Sequence, residues 1–471
     1  MSFRATMKKM FDAQDMTVGK PWQSLAMFSV PLLVGNIVQQ LYNTVDSIVV
    51  GRFVGDSALA AVGSSGALIN LLLVLFMGIA TGAGIMVSQY FGAKDRLLLS
   101  KTVGSCITLM IIASVLIMIA GPLVTRPMLA LLQTPADVID QAVDYLIPIF
   151  LGIAGMALYN GIAGVLRGMG DALMPLVFLV VACLLNIVLD VWFVAGLRWG
   201  IAGAAWATVI AQAISGVLCI IRLAKLKHIL DVNLKLLKID GALSLQLGRL
   251  GLPASLTQMI FSLAMIVVQS LVNSLGTDVI ACSTIVMRVD GFAMMPNFTF
   301  GMAMATFVGQ NVGAGKMDRV EQGTKSGLLM GVAVSGLLVL AMLFFGKPLM
   351  SIFTETRSII DMSYRMLQIL AAGYIAMAVM QILSGIMRGA GDTMSTMWVS
   401  LITTVAIRTP LAYIMVYATK SEANPQGMPE MLFVSLLVSW VTGALVTFLI
   451  YRRGAWRKKG LVERVSSAGE L

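Results

Sequence analysis

The segment GVLRGMGDALMP at residues 164–175 returns 221 positions later as GIMRGAGDTMST at residues 385–396. The shift aligns Gly164, Arg167, Gly168, Gly170 and Asp171 with Gly385, Arg388, Gly389, Gly391 and Asp392. A second pair, FGAKDR at 91–96 and VGAGKMDR at 312–319, repeats with two extra residues in the later copy. The chain is therefore two copies of one supersecondary design.

The composition is that of a membrane protein. Of the 471 residues, 58% are hydrophobic and only 12% are charged, whereas soluble domains use roughly 25% charged residues. Apolar stretches long enough for a helix to cross a hydrocarbon core of about 30 Å recur along the chain. We predict twelve spans, at 25–50, 58–88, 102–122, 138–166, 172–195, 200–223, 250–274, 279–308, 324–346, 358–387, 393–417 and 430–451. Such long runs favour helices over barrel strands, which predicts an all-α polytopic membrane protein.

The repeat divides these spans into two sets of six. An even number of spans returns the chain to its starting side, so both halves have the same orientation. Secondary transporters are often built from such parallel repeats, with substrate and ion sites near mid-depth. We expect two pseudo-symmetric six-helix lobes around a central cavity. The expected domains are an N-terminal lobe at 1–223, a cytoplasmic linker at 224–248 with an amphipathic helix, a C-terminal lobe at 249–452 and a cytoplasmic tail at 453–471.

Basic residues set the orientation. Most of the 33 Lys and Arg residues fall in the termini and in the loops on the same side as the termini. Because positive loops stay cytoplasmic, both termini are expected inside the plasma (inner) membrane. Anionic lipid headgroups and this bias account for the net charge of +10 without nucleic acid. The one histidine, His228, is expected on the surface of the linker, and the four cysteines are expected as small core residues.

The RGxGD segments are expected to form tight cytoplasmic turns that act as hinges. Glycine permits positive φ there, and the Arg and Asp of each motif can pair with each other or cap helix ends. No strand precedes the motifs and no GKS or GKT follows them, so a phosphate-binding loop is disfavoured.

The sequence resembles the multidrug and toxic compound extrusion (MATE) family. The resemblance rests on VPLLVGNIVQQLYNTVDSIVVGRFVGDSALAAVG (30–63), QYFGAKD (89–95), LRGMGD (166–171), LLNIVLDVWFV (184–194), GIAGAAWATVIAQ (200–212) and GQNVGAGKMDR (309–319). It covers roughly residues 22–452 and is strongest for the bacterial DNA-damage-inducible F-like branch. It implies alternating access and the export of drug-like organic cations by a cofactor-free carrier, expected as a monomer, driven by inward H⁺ or Na⁺.

Asp46 lies about 21 residues into the first apolar span, and Asp190 lies about 18 residues into the fifth. An ionised group at mid-bilayer costs at least about 2.5–3.5 kcal/mol on insertion scales, so each needs a reason. Asn186 precedes Asp190 by four residues and shares its helix face, and Thr208 in the sixth span can add a hydroxyl oxygen. Oxygen ligands suit Na⁺, and two acids in low dielectric share a proton, so both ions remain open. In the MATE resemblance the matching positions form the N-lobe ion site; the alternative is a purely structural pair of buried acids.

The second half does not repeat these acids. Val268, followed by Gln269, stands opposite Asp46, while Leu411 and Ile407 stand opposite Asp190 and Asn186. Ion coupling is therefore expected in the N-terminal lobe alone.

Two other ionisable clusters remain in the second set of spans, Arg288 with Asp290 in the eighth span and Arg408 midway along the eleventh. Arg288 can face an acid across the cavity or pair with Asp290 as a structural bridge, and both possibilities stay open. Arg408 precedes Pro410, where it is expected to satisfy carbonyls released by the proline.

The 34 methionines favour an adaptable apolar cavity. Polar contacts to substrate are expected from Gln39, Tyr42, Asn43, Asn160, Arg288 and Asn297, and Pro31 is the expected helix hinge. A flippase of lipid-linked or amphipathic molecules is the alternative transporter. An enzyme is disfavoured because no nucleophile and base pair or metal motif lies in the spans, and a channel is disfavoured because the acids form no ring.

Overall fold

The computed structural model describes residues 13–131, 134–231, 240–422 and 425–461, and every regular element in these ranges is helical. The first set of helices is α1 Pro21–Phe53, α2 Asp56–Gly92, α3 Arg96–Leu131, α4 Ala136–Leu151, α5 Ile153–Gly168, α6 Leu173–Asp190 and α7 Gly200–Lys225. The second set is α8 Gly241–Asn273, α9 Thr277–Gly313, α10 Met317–Ser351, α11 Arg357–Gly389, α12 Thr393–Ser400, α13 Thr409–Ala418 and α14 Glu430–Arg453. Two π-helical segments, Val191–Gly196 and Leu401–Arg408, continue α6 and join α12 to α13.

The helices confirm the predicted spans. Among the described residues, eleven helical stretches are long and apolar enough to cross a membrane singly. The predicted span at 138–166 is instead a pair of helices, α4 and α5, bent by 55°. Pro148 lies in the last turn of α4 and Gly152 at the break, and proline disrupts the helix by removing a hydrogen bond. Counted as one span, this pair makes the twelfth.

The repeated glycines form a helix-packing seam that is present in both halves. A Cβ on Gly168 would lie 2.7 Å from the carbonyl oxygen of Gly84 on α2, and one on Gly164 would lie 2.9 Å from that of Ala80. In the second half, a Cβ on Gly385 would lie 2.2 Å from the carbonyl oxygen of Gly301 on α9, and one on Gly389 would lie 2.3 Å from that of Ala305. Helices approach this closely only through small residues, which is why the motif recurs.

The turns after these helices also follow from the repeat. Gly170 and Gly391 adopt φ of +89° and +96°, which favours glycine. The Asp171 carboxylate then accepts a hydrogen bond from the Met174 amide at 3.1 Å, and Asp392 accepts one from the Ser395 amide at 3.4 Å. Both aspartates therefore cap the next helix, which was one of the two roles predicted for them.

The other predicted role, pairing between the Arg and the Asp of each motif, is not the arrangement observed. Asp171 forms an ion pair with Arg222 at 2.8 Å, at the end of α7. Asp392 lies 3.8 Å from the ammonium of Lys459, just beyond α14. Each aspartate therefore joins its turn to the end of the sixth span of its own half. Both arginines lie in the helix that precedes the turn, Arg167 in α5 and Arg388 in α11.

The chain forms two compact units. Of the described residues, those at 13–16 and between 30 and 255 belong to unit 1, and those at 17–29 and between 256 and 461 belong to unit 2. Compared with the lobes expected at 1–223 and 249–452, the first parts of α1 and α8 are exchanged between the units. α1 passes from unit 2 to unit 1 immediately before Pro31, and α8 passes out of unit 1 two residues after Pro253.

Specific contacts hold each exchanged segment. In unit 2, Arg319 donates to the carbonyls of Val18 and Gly19 at 2.6 Å each, and the Lys316 ammonium donates to the carbonyl of Thr17 at 3.0 Å. In unit 1, the Ser255 hydroxyl on α8 donates to the Val74 carbonyl on α2 at 2.8 Å. Hydrogen bonds therefore hold the first part of α8 in unit 1 and the residues just before α1 in unit 2.

The linker prediction lies partly outside the described residues, since 232–239 are not described. Residues 226–230 form turns, and α8 already begins at Gly241. His228 is exposed, as predicted. Of the tail, residues 462–471 lie outside the description, while Trp456 is buried and donates to the Tyr451 carbonyl at 2.9 Å.

The glycine seam yields the first prediction. Gly385→Val should lower the yield of folded protein and its Tm, because the new side chain must displace backbone on α9. Overpacking of this kind costs about 1–3 kcal/mol or more. Size-exclusion profiles and thermal unfolding in detergent measure the effect. Gly336→Val on α10 is the matched control, since a Cβ added there would have no described neighbour within 4 Å, and equal losses in both variants would refute the seam.

Candidate functional site

The four predicted ion residues come together inside unit 1. Asp46 on α1 and Thr208 on α7 are each 7% exposed, and Asn186 and Asp190 on α6 are fully buried. The Asn186 side-chain amide donates to the Thr208 hydroxyl at 3.3 Å. The Asp46 and Asp190 carboxylates are close enough to repel each other. Asn186 and Asp190, predicted to share one helix face, therefore lie in one polar cluster with Asp46 and Thr208.

Unpaired oxygens dominate this cluster. Six buried oxygen atoms have no hydrogen-bond partner among the described residues: one of Asp46, one of Asn186, both carboxylate oxygens of Asp190, one of Gln212 and the hydroxyl of Tyr42. Nearly all buried polar atoms in folded proteins are satisfied, so six together need an explanation. The carboxylate and amide oxygens are acceptors, and a group that supplies positive charge or a proton would satisfy them; the Tyr42 hydroxyl can also donate.

The cluster includes three residues that the ion-site prediction omitted. Tyr42, expected to contact substrate, is buried four residues before Asp46, and its hydroxyl lies near Thr208 and Gln212. Tyr145 on α4 is buried beside Tyr42 and both acids. Gln212 follows Thr208 by four residues, a spacing that could have placed it on the same face of α7. No comparable sequence signal marks Tyr145, since the contact depends on how α4 packs.

Within the described part of the chain, the cluster lacks a basic partner. Neither Asp46 nor Asp190 forms an ion pair with a Lys, Arg or His in the described ranges. Asp171, the other fully buried aspartate of unit 1, differs because Arg222 neutralises it. Burial without a counter-charge is costly, so the acid pair needs a cation from solution or a proton. The chemistry of the donors suits either: hard cations prefer carboxylate, amide and hydroxyl oxygens, and adjacent acids share protons.

The other predicted substrate contacts are dispersed. On α1, Gln39 is half-buried and Asn43 is exposed. The Asn160 amide donates to the Met156 carbonyl of its own helix at 2.8 Å. Asn297 in unit 2 is fully buried: its amide donates to the Tyr374 carbonyl at 3.2 Å, and its oxygen accepts from the Ser335 hydroxyl at 2.7 Å. The Asn297 side chain is thus engaged in helix packing.

Arg288 lies apart from these residues. It is exposed and lines a cavity of about 380 Å³ in unit 2, together with Ala281, Thr284, Ile285, Phe353, Thr354 and Ile359. The predicted bridge to Asp290 is not formed among the described contacts, because residues two apart on a helix point in different directions. Asp290 instead lies beside the Tyr374 hydroxyl and is attracted by Arg408.

The predicted contact of Arg408 with carbonyls released by Pro410 is not among the described contacts. Hydroxyl groups reach two carbonyls of the π-helical segment: Thr409 donates to the Thr404 carbonyl at 3.0 Å, and Ser439 donates to that of Thr403 at 2.8 Å. Arg408 contacts the sulfur of Met265 at 3.8 Å.

The family comparison matches the two halves separately. The model of the MatE family covers residues 31–192 and again residues 253–414. These two matches correspond to the internal repeat and omit the linker and the tail.

Relatives match over nearly the full length. The probable multidrug resistance protein YoeA of Bacillus subtilis is 30% identical over 94% of this chain and 96% of its own. The multidrug export protein MepA of Staphylococcus aureus is 23% identical over 79% of this chain and 82% of its own.

Solved structures share the fold. A multidrug resistance MATE family transporter of the MOP superfamily in an outward-facing conformation superposes with a TM-score of 0.86 at 23% identity, covering 95% of this chain and 99% of that one. A MOP superfamily transporter from Pyrococcus furiosus gives a TM-score of 0.85 at 23% identity over 93% of this chain and 97% of its own. These likenesses extend over both units.

Neutralising the acids of the cluster should not lower the thermal stability of the protein, whereas neutralising the paired Asp171 should. Asp46→Asn and Asp190→Asn should leave the Tm unchanged or raise it at pH 8 without Na⁺, because each removes an uncompensated buried charge. Asp171→Asn should lower the Tm by several degrees, because it strands Arg222 and weakens a helix cap. Thermal unfolding of the purified variants tests the contrast, and destabilisation by all three would contradict it.

Proposed function

The chain belongs to the MatE family of membrane transporters, and we propose that it is a multidrug exporter that exchanges amphipathic organic cations for an inward-moving H⁺ or Na⁺. The names of its relatives support multidrug export. The proposal assigns the coupling ion to Asp46, Asn186, Asp190 and Thr208, with Tyr42 and Gln212 in the same cluster.

One observation carries the proposal: buried acceptor oxygens converge in unit 1, and no basic side chain of the described residues neutralises them. A structural pair of acids would be expected to satisfy its oxygens within the protein, as Asp171 does with Arg222. A site that must bind and release a cation needs unsatisfied acceptors in its empty state. The energy cost of that state drives ion binding.

Coupling requires that drug and ion favour different conformations, since a ligand with equal affinity for both shifts nothing. We propose that the unneutralised cluster favours the state that binds a cationic drug. Ion binding between α1 and α6 then repacks α1, whose path changes unit beside Pro31. Proline makes this the weakest turn of the helix, because the Met27 carbonyl has no amide donor at Pro31.

Placement in the membrane completes the proposal. The carrier acts in the inner membrane as a monomer with both termini cytoplasmic, in agreement with its basic loops on that side. Its substrates are small amphipathic molecules. The cavity beside Arg288 offers apolar walls and two threonine hydroxyls, but the positive charge of Arg288 would repel a cationic group, so this cavity is not assigned to the drug.

Transport in liposomes tests the proposal. Purified protein should move a dye cation against its gradient when either an inward Na⁺ gradient or an inward pH gradient is applied, and the effective gradient identifies the ion. Asp46→Asn should reduce the driven flux to that of protein-free vesicles while the protein still inserts and folds.

The control is Asp140→Asn, which removes an exposed carboxylate paired with Arg126 in the same unit. Exposed pairs contribute about 0–1 kcal/mol, so this variant should transport normally. Normal driven flux through Asp46→Asn under both gradients would rule out the coupling site.

A further inference from the structure

Two basic side chains of another helix hold the start of α1 in unit 2. Three consecutive carbonyls just before α1, at residues 17–19, accept hydrogen bonds from Lys316 and Arg319. The arginine uses both of its terminal nitrogens, one for the Val18 carbonyl and one for the Gly19 carbonyl, at 2.6 Å each. Arg319 lies in the first turn of α10, and α1 begins two residues after Gly19. These three hydrogen bonds are called the clasp of α1 below.

The start of α8 is held in a similar manner in unit 1. Arg96, the first residue of α3, donates to the Lys227 carbonyl at 2.6 Å and pairs with the Asp231 carboxylate at 2.5 Å. Lys101 on the same helix lies 3.9 Å from the carboxylate of Asp240, which caps α8. Because α3 and α10 are the third-span helices, each half uses basic residues near the start of that helix to hold the first helix of the other half.

The two held helices differ in what they carry farther along. α1 changes from unit 2 to unit 1 beside Pro31, and it then contributes Tyr42 and Asp46 to the polar cluster of unit 1. α8 has Val268 at the position that matches Asp46. Of these two helices, α1 is therefore the one that joins a held start in one unit to the acids in the other.

The clasp is too far from the acids to act on them through its charge. Pro21 and Asp46 are about 38 Å apart along α1 at a rise of 1.5 Å per residue. Salt screens exposed charges beyond roughly 10 Å. A displacement, in contrast, can pass along a continuous helix whose end is held. The clasp holds that end of α1.

We propose that Arg319 is a positioning residue for the coupling of ion and drug. By holding the start of α1 in unit 2, the clasp makes unit 2 respond when an ion binds at Asp46 and repacks the second part of α1. Without the clasp, movement of the start of α1 would absorb part of this repacking. The inference rests on the proposed function, because it needs an ion that binds the polar cluster.

The dependence of drug affinity on the ion measures this role. The probe is ethidium, whose charge is permanent, and its Kd for the purified full chain is read by fluorescence anisotropy. The Kd is measured in choline chloride at pH 8, in NaCl at pH 8 and in choline chloride at pH 6. The coupling ion should raise the Kd of the unaltered protein, and the ratio of the two Kd values is the linkage.

Arg319→Gln should reduce this ratio by roughly 3- to 10-fold, the range expected for residues that transmit coupling without touching either ligand. Some linkage should persist, because Leu25 and Phe28 are buried and also hold the first part of α1. Ion-driven dye flux in liposomes should fall with the ratio. Ion binding itself should remain, and it is read as an unchanged rise of the Tm with the coupling ion. A purely structural loss would not separate these readouts.

Two further variants separate the hold from the charge. Arg96→Gln is the matched control, since it removes a comparable contact before α8, and it should keep the ratio of the unaltered protein. Insertion of two glycines between Gly19 and Lys20 keeps the clasp residues and every charge but loosens their connection to α1. It should therefore lower the ratio as Arg319→Gln does. Both flanking residues are exposed, and exposed turns tolerate insertions.

The outcomes are distinct. An unaltered ratio in either the folded Arg319→Gln variant or the insertion variant would overturn the inference and leave the proposed function standing. An equal loss in Arg96→Gln would also overturn it, because the effect would not be specific to α1. If Arg319→Gln does not fold, the insertion variant decides. Absence of any linkage in the unaltered protein would contradict the proposed function and this inference together.

Discussion

The cost of an uncompensated charge in an apolar interior is the constraint on which this protein depends. Asp46 and Asp190 are buried together, repel each other and have no basic partner among the described residues. Helix packing around them could easily have supplied one, as it does for Asp171 through Arg222. The cluster is therefore less stable than it could be, in the way that functional sites often are.

Duplication explains why one half can carry this cost. The glycine seams, the positive-φ turns and the capping aspartates occur in both halves and hold the helices together. The acids of unit 1 do not recur at the matching positions, so the fold does not require them. A duplicated scaffold thus lets one copy keep the structural contacts while the other also takes on a strained polar cluster.

The sequence was sufficient for features that depend on local pattern or on the repeat. Span positions follow from apolar length, and Asn186 and Asp190 share a face because of their spacing. Contacts between distant helices were not predictable in this way. Tyr145 joins the acids through the packing of α4, and the exchange of α1 and α8 segments needs tertiary contacts such as Ser255 to Val74.

Unit 1 contains two solutions to one electrostatic problem. Arg222 neutralises Asp171 through an ion pair at 2.8 Å, and because a guanidinium does not lose its proton in proteins, the charge of this pair is fixed. Asp46 and Asp190 have no such partner among the described residues, so under the proposed function their cluster depends on a cation or proton from solution. The net charge of that cluster then changes whenever the cation binds or leaves, and only such a change can bias a conformational equilibrium. The buried acid with a basic partner therefore serves the packing, whereas the acids without one are the pair that can respond to an ion.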